Sequence, residues 1–400
     1  MSQNNGFLTH AKSQIYLTLK ESNHMERELV IKALVDWNFW YREQFIGVPR
    51  NDYVEKLLEI INSWYIASVL GVKRAGKSTI INQVAKRLIE KGVDPFDILI
   101  VNFEDGRLSG VEDLFKLYEL YLELRKRKGT KPYVFLDEVQ KVKGWEGFTR
   151  SLVDRKEAFV IVSGSTSDLV NDEVRNKLAG RHVVLKVYPL SFKEFLRFKG
   201  VEVRDEVDVI AKESEIKSLF NEYLNYGGFP GIVNSNMKEQ LLSSLYEDIL
   251  IRDVITPCRV KEVEKLRLLS LYYMSNVGNR VRFRSISRQL QIPLHTVQRF
   301  TQCLIKANLV YLVNPLSPKL SLMTRGEKKI YAVDHGLANV VGYRLSPNIG
   351  SLLENLVFVE LVRRYGEEKV FYYRGNNGEV DFVIKDKNYV KEAYQVTYSL

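Results

Sequence analysis

An α/β fold built on a parallel sheet is predicted by three short apolar runs, each ending in residues suited to hold a ligand. Ile66-Ala67-Ser68-Val69-Leu70 leads into Gly71-Val72-Lys73-Arg74-Ala75-Gly76-Lys77-Ser78-Thr79. Tyr133-Val134-Phe135-Leu136 ends in Asp137-Glu138, and Ala158-Phe159-Val160-Ile161-Val162 ends in Ser163-Gly164-Ser165-Thr166-Ser167. Apolar runs of this length suit strands buried on both faces. Ligands of open parallel sheets sit beyond the carboxyl ends of such strands.

The first of these segments fits the phosphate-binding pattern G-x-x-x-x-G-K-[ST]. Beyond it, Ile80, Val84, Ala85 and Leu88 recur at helical spacing up to Glu90, and Gly92 follows as a stop. A strand before and a helix after are the context the pattern requires. Gly71 and Gly76 let the backbone curl, so that N–H groups across Gly71–Thr79 point at phosphate oxygens, helped by the helix N-terminus. Lys77 supplies a point charge for the outer phosphates and Ser78 a hydroxyl for Mg²⁺. These residues point to a nucleoside triphosphate and Mg²⁺ as ligands.

Asp137 falls at the carboxyl end of its strand, where it accepts hydrogen bonds from Mg²⁺-bound water, and Glu138 orients and deprotonates the attacking water. The Ser163–Ser167 hydroxyls have two readings of equal weight: contacts to a terminal phosphate or the lytic water, or an ordinary turn. Leu178-Ala179-Gly180-Arg181 precedes another β-rich run, Val183–Val187, and an arginine there can stabilise transition-state charge in its own or a neighbouring subunit.

With Tyr188-Pro189-Leu190-Ser191-Phe192-Lys193-Glu194-Phe195 added, these motifs resemble the AAA+ ATPase family of archaea and bacteria. Gly47-Val48-Pro49-Arg50 with Tyr53 and Leu57 resembles the short lead-in to its nucleotide domain. Tyr226-Gly227-Gly228-Phe229-Pro230-Gly231 looks like its lid motif. The resemblance implies ATP as the nucleotide and a helical lid. It also implies Ser165 (or Ser163) at the sensor position, Arg181 as arginine finger and Pro230 beside the nucleotide. The Ser at the sensor position departs from the Asn that many members carry.

A chain of 400 residues with 45% hydrophobic content is too long for one ordinary core and predicts two or three domains. Its two cysteines, Cys258 and Cys303, lie far apart without metal-ligand spacing, and its five histidines do not cluster, so neither a disulfide nor a zinc site is expected. The start lacks a signal-peptide pattern, and no apolar run approaches the roughly 20 residues needed to span a bilayer. A cytoplasmic protein with no membrane segment is expected.

The net charge of +10 is unevenly placed. From Lys265 to Gly326 there is no Asp or Glu, while Lys265, Arg267, Arg280, Arg282, Arg284, Arg288, Arg299, Lys306, Lys319 and Arg325 lie within it. Such a region is the electrostatic footprint of a nucleic-acid contact. Ser285–Leu290 reads as a short helix, Gln291-Ile292-Pro293 as a turn, and Leu294–Phe300 as the start of a second helix with Val297, Phe300, Leu304 and Ile305 on one face. This is a helix-turn-helix. Leu309–Leu312 and a run through Lys329 to Ala332 supply the strands of a wing. The second helix would enter the major groove, so that His295, Thr296, Gln298 and Arg299 face base edges or phosphates, with Arg280, Arg282, Arg284 and Arg288 as further nucleic-acid contacts. Packing against the nucleotide domain or binding a protein partner is the other reading of such a unit.

The C-terminal segment reads as a helix over Leu352–Val362, then strands at Val370–Arg374, Glu379–Ile384 and Glu392–Thr397. It resembles a restriction-endonuclease-like domain of unassigned function. That resemblance implies a possible second metal site at Glu354, Asp381 and Gln395, with Thr397 standing where the nucleases carry a lysine. A non-cleaving structural or nucleic-acid-binding domain is favoured over a nuclease, and a further helix is expected after the last strand. Met25 to Tyr41 has helical apolar spacing and is expected to pack on the nucleotide domain rather than on a partner.

The expected organisation is an N-terminal helical extension (1–45), a nucleotide domain (46–195), a helical lid (196–260), a winged helix (261–340) and the nuclease-like part (341–400). The expected activity is Mg²⁺-dependent ATP hydrolysis coupled to DNA or a protein partner, with a homo-oligomer among the expected partners. A slow nucleotide-gated signalling switch and an ATP-controlled nuclease are the alternatives.

Overall fold

The computed structural model describes residues 26–398 apart from 126–128, 165–168, 170–171, 318, 320, 322, 324–325, 344–348 and 376–377. These residues form two compact units. One holds the chain to Leu70 with Ser78–Gly164 and the segment ending at Leu185; the other holds Gly71–Lys77 and the chain from Lys186 onward.

The first unit is organised by five short strands: β1 (Ile66–Leu70), β2 (Ile98–Asn102), β3 (Tyr133–Asp137), β4 (Phe159–Ser163) and β5 (His182–Lys186). They form one sheet in the order β2-β3-β4-β1-β5. The β2–β3, β3–β4 and β1–β4 pairings are parallel. Every residue of β1 and β2 is buried, which is why these runs carry no polar alternation. The parallel pairing brings the ends of β1, β3 and β4 to one edge, with Val69 opposite Ser163 and Leu136 opposite Val162.

Residues 26–37 are helical, and Ala33 and Leu34 join the core formed by Val134, Leu136, Phe148 and Leu152. The open edge of β2 is covered by the residues that follow this helix. Asn38 donates to the Ile100 carbonyl (2.8 Å) and accepts from the Ile100 N–H (2.6 Å), and the Trp40 indole donates to the Ile98 carbonyl (3.0 Å). An edge strand's free groups are thereby satisfied.

In the second unit, Ser191-Phe192-Lys193-Glu194 opens the helix Phe192–Phe198 with a reciprocal capping box between Ser191 and Glu194. Leu190, Phe195, Tyr223 and Val233 form a buried cluster with the helix Glu213–Tyr226. The polar stretch Glu202–Glu215 contains the short helix Glu206–Ala211 and the start of Glu213–Tyr226. Helix Lys238–Ile249 continues into a π-helical turn, Leu250–Ile255.

Next come helix Val263–Ser275, β6 (Arg280–Val281), helices Phe283–Leu290 and Leu294–Lys306, β7 (Val310–Val313) and β8 (Lys328–Ala332). The three strands form an antiparallel sheet in the order β6-β8-β7. Gln291, in the left-handed conformation at φ 53°, makes the turn between the two helices. The chain ends in helix Ile349–Tyr365 and a second antiparallel sheet of β9 (Val370–Gly375), β10 (Gly378–Asp386) and β11 (Tyr389–Tyr394), with β10 central. Fully buried Asn355 pins this helix to β8, accepting from the Ala332 N–H (2.7 Å) and donating to the Ala332 carbonyl (3.1 Å).

One expectation is overturned here. Cys258 and Cys303 form a disulfide, with Cα atoms 6.3 Å apart. Sequence spacing hid it because the chain between them folds back, laying the segment after the π-helical turn against helix Leu294–Lys306.

Candidate nucleotide site and basic surface

The glycine-rich loop begins where β1 ends, at the carboxyl edge of the sheet, and runs into helix Lys77–Glu90. Gly71, Arg74 and Gly76 all have positive φ (150°, 64° and 97°). Alternation of this kind turns successive N–H groups to one side and makes an anion-binding concavity. Gly71 admits no side chain, since a Cβ there would lie 2.2 Å from the Val187 carbonyl oxygen. Lys77 is buried and folds back on its own loop, donating to the Gly71 carbonyl (3.1 Å) and, more weakly, that of Val72 (3.5 Å). Its ammonium thus rests within the curl that would take a phosphate. Ser78 is exposed, and Lys73 and Thr79 are half-buried.

The predicted lead-in is fastened to the helix that follows the loop. Gln83 donates to the carbonyls of Ile46 (2.6 Å) and Val48 (2.9 Å) and accepts from the Arg50 N–H (3.0 Å). Sequence reasoning passed over Gln83, because a polar residue mid-helix ordinarily marks a solvated face.

Asp137 and Glu138 lie at the end of β3. Ser163, fully buried as the last residue of β4, donates its hydroxyl to Asp137 Oδ1 and accepts the Glu138 N–H (3.3 Å). Glu138 sits in the left-handed region (φ 55°, ψ 44°), a conformation that costs a non-glycine residue on the order of 1–2 kcal/mol. The two neighbouring carboxylates have different partners, Ser163 for Asp137 and Gln140 for Glu138. Ser165, the first choice for the sensor position, lies outside the described residues. Ser163, the second, is the one seen against the acid pair.

Arg181 lies elsewhere. It immediately precedes β5, its carbonyl accepts the Ile66 N–H at the start of β1, and its guanidinium pairs with Asp154 (2.8 Å). It therefore occupies the amino edge of the sheet, a strand's length from Asp137, and its own chain does not bring it to the acid pair.

Residues 63–196 match the family described as AAA domain, and residues 217–347 match a domain of unknown function. An uncharacterized protein of Haemophilus influenzae is 30% identical over 359 residues, covering 87% of this chain and 87% of that one. An uncharacterized protein of Methanocaldococcus jannaschii is 32% identical over 348 residues, covering 84% of this chain and 75% of its own length. The chain belongs to their family. Among solved structures, the Walker-type ATPase of Pyrococcus abyssi aligns with a TM-score of 0.45 and 16% identity, over 74% of this chain and 95% of that one. The glycine-rich loop and the acid pair of β3 both fall inside the matched AAA domain.

Outside the AAA domain, the Gly227-Gly228 pair meets a partner the sequence did not announce. Asp334 accepts the Gly228 N–H (2.8 Å), and a Cβ on Gly227 would fall 1.9 Å from its carboxylate. Buried His335 contacts the Tyr223 carbonyl through Nε2 (2.7 Å). Burial holds its pKa below the ordinary value of 6.5, against the opposing pull of Asp334 and the Tyr223 carbonyl. Pro230 begins the short helix Pro230–Val233.

The basic stretch is free of carboxylates in sequence but not in space. Arg280 and Arg282 approach Glu327 (3.6 and 3.1 Å), which directly follows the stretch, and Arg280 also approaches Glu379 (3.5 Å). Arg284, Arg288, His295, Gln298 and Arg299 are exposed. Thr296 is 2% exposed and turns inward, correcting its place among the outward residues. Helical phase explains this, since Thr296 shares a face with buried Phe300 and Cys303.

Glu354, Asp381 and Gln395 do converge, but on an ammonium. Lys329 of β8, with a side chain only 3% exposed, pairs with Glu354 (2.9 Å), Glu379 (2.7 Å) and Asp381 (2.9 Å). Gln395 donates its amide to Asp381 (2.7 Å), and Tyr331 donates to Glu354 (2.6 Å). Burial disfavours the charge on Lys329, yet Glu354 and its neighbours outweigh it and raise the pKa. Burial likewise raises the Glu354 carboxyl. The three residues named as a possible second metal site thus come together around Lys329, with Gln395 presenting its donor to Asp381. Among the described residues no group of three or more His, Cys, Asp or Glu side chains is placed to hold a metal ion. No helix among them is long and apolar enough to cross a membrane.

Proposed function

We propose that this protein is an AAA-type ATPase that hydrolyses ATP with Mg²⁺ and couples turnover to DNA through a winged helix. The observation that carries the catalytic part is the acid pair at the end of β3, with Ser163 on both its members. Lys77 would leave its loop carbonyls for the outer phosphates, so phosphate contact replaces hydrogen bonds it already makes. The donor set suits Mg²⁺: a hydroxyl at Ser78 and a carboxylate at Asp137 are hard oxygen ligands, the latter reached through water. Bound there, the ion would neutralise charge developing on the phosphates. Glu138 would take a proton from the attacking water. Arg181, at the opposite sheet edge, would serve a neighbouring subunit, which makes the proposal one of a homo-oligomer.

The DNA part rests on the order helix, strand, helix, turn, helix, strand, strand over Val263–Ala332 and on exposed Arg284, Arg288 and Arg299. His295 and Gln298 would face base edges, and Arg280 and Arg282 would contribute less because Glu327 already engages them. That engagement is also what favours a second reading, a nucleotide-gated switch working through protein contacts. The Lys329 cluster supports a non-cleaving role for the C-terminal sheet. Location in the cytoplasm is part of the proposal. ATP turnover measured with and without duplex DNA, at low and high salt, separates the readings. DNA stimulation that fades with salt is the expected result; indifference to DNA selects the switch.

A further inference from the structure

Two residues beyond Glu138, the short 3₁₀ turn Val139–Lys141 carries a side chain that the acid-pair reading leaves unused. Gln140 donates its amide Nε2 to Glu138 Oε2 at 2.7 Å. The room for this comes from the end of β4, where a Cβ on Gly164 would lie 2.2 Å from Gln140 Oε1 and 3.0 Å from its Cδ. The amide thus lies between a glycine whose Cβ would meet it and the carboxylate it binds. Gln140 Oε1 is buried there without a hydrogen-bond partner among the described residues. The strained backbone of Glu138 aims its carboxylate back toward this turn, and Ser163 secures the N–H of the same residue.

We infer that Gln140 is a positioning residue for ATP hydrolysis, fixing the carboxylate that takes the proton from water. The inference rests on the ATPase reading above. Gln140 does not touch the nucleotide in this role; it removes rotational freedom from the Glu138 carboxylate. A carboxylate held in place by a hydrogen bond is a better-placed base than a rotating one, and displacement by about an ångström costs roughly 100-fold in rate. Gly164 belongs to the same device, since any side chain there would push the amide off Glu138.

Steady-state ATP turnover and binding of a non-hydrolysable ATP analogue test this with Gln140→Glu and Gln140→Met. The first keeps the shape and replaces the donor with a like charge; the second removes the amide altogether. For both, kcat is expected to fall about 10- to 100-fold with KM and analogue affinity unchanged, Gln140→Glu falling further. Wild-type kcat in both variants, with Glu138→Gln inactive, would overturn the positioning role and leave the ATPase reading standing. A parallel loss of kcat and analogue affinity would also overturn it, making Gln140 a support of the nucleotide pocket. Absence of turnover in the wild-type protein would remove both.

Discussion

Ser163 donates to Asp137 and accepts from the backbone of Glu138, so one hydroxyl at the end of β4 orients two groups on β3. The side chains that matter most here are of this kind: polar, buried and shared. Gln83 ties the lead-in to the helix after the loop, and Asn355 ties the last long helix to β8. His335 is another, and it carries a pH dependence. Its folded pKa lies below 6.5, so the unfolded chain binds more protons than the folded one as pH falls through that value. The stability of the second unit is therefore full above pH 6.5 and declines below it. Urea midpoints at about pH 7.5 and 5.5 should differ more for the wild-type protein than for His335→Gln, which keeps a donor for the Tyr223 carbonyl. Equal differences in the two proteins would contradict the assignment.

At the scale of elements, the disulfide sets the firmest expectation. Cys258 and Cys303 close a loop of sequence separation 45 and join the segment after Leu250–Ile255 to helix Leu294–Lys306. Loop-closure entropy assigns about 4 kcal/mol to a cross-link of this span. Reduction, or Cys258→Ser, should lower the unfolding midpoint of the second unit, and non-reducing peptide mapping should recover the linked pair. A midpoint indifferent to reductant would mean the bond does not constrain the unfolded chain.

Other elements show why some of the molecule was legible from sequence and some was not. The strands β1, β3 and β4 and the glycine-rich loop were readable because local pattern dictates them: unbroken apolar runs, then glycine and lysine at fixed offsets. The helix Leu294–Lys306 was readable from the phase of Val297, Phe300 and Leu304. Asp334 beneath Gly227, Lys329 among Glu354, Glu379 and Asp381, and Glu327 beside Arg280 were not readable. Each pairs residues distant in sequence, and nothing in either partner's neighbours signals the other.

For the whole molecule, net charge of +10 gathered in one stretch raises an expectation that the ion pairs reduce. With Arg280 and Arg282 engaged by Glu327, exposed Arg284, Arg288 and Arg299 are the arginines proposed to meet phosphate. Each phosphate contact lowers the slope of log affinity against log salt by about 0.9 on duplex DNA. Replacing these three arginines with Gln should therefore weaken DNA binding and flatten the slope by about two to three units. Replacing Arg280 and Arg282 should change the slope little. The reverse order would place the contact elsewhere on the molecule.

The central claim is that the loop from Gly71 and the acid pair of β3 serve one hydrolytic reaction, and Glu138→Gln tests it most directly. The substitution keeps size and backbone while removing the base. Measured as steady-state ATP turnover beside analogue binding, it should abolish most turnover, a fall on the order of 100-fold or more, with nucleotide affinity retained. Turnover equal to the wild-type protein at equal affinity would contradict the account.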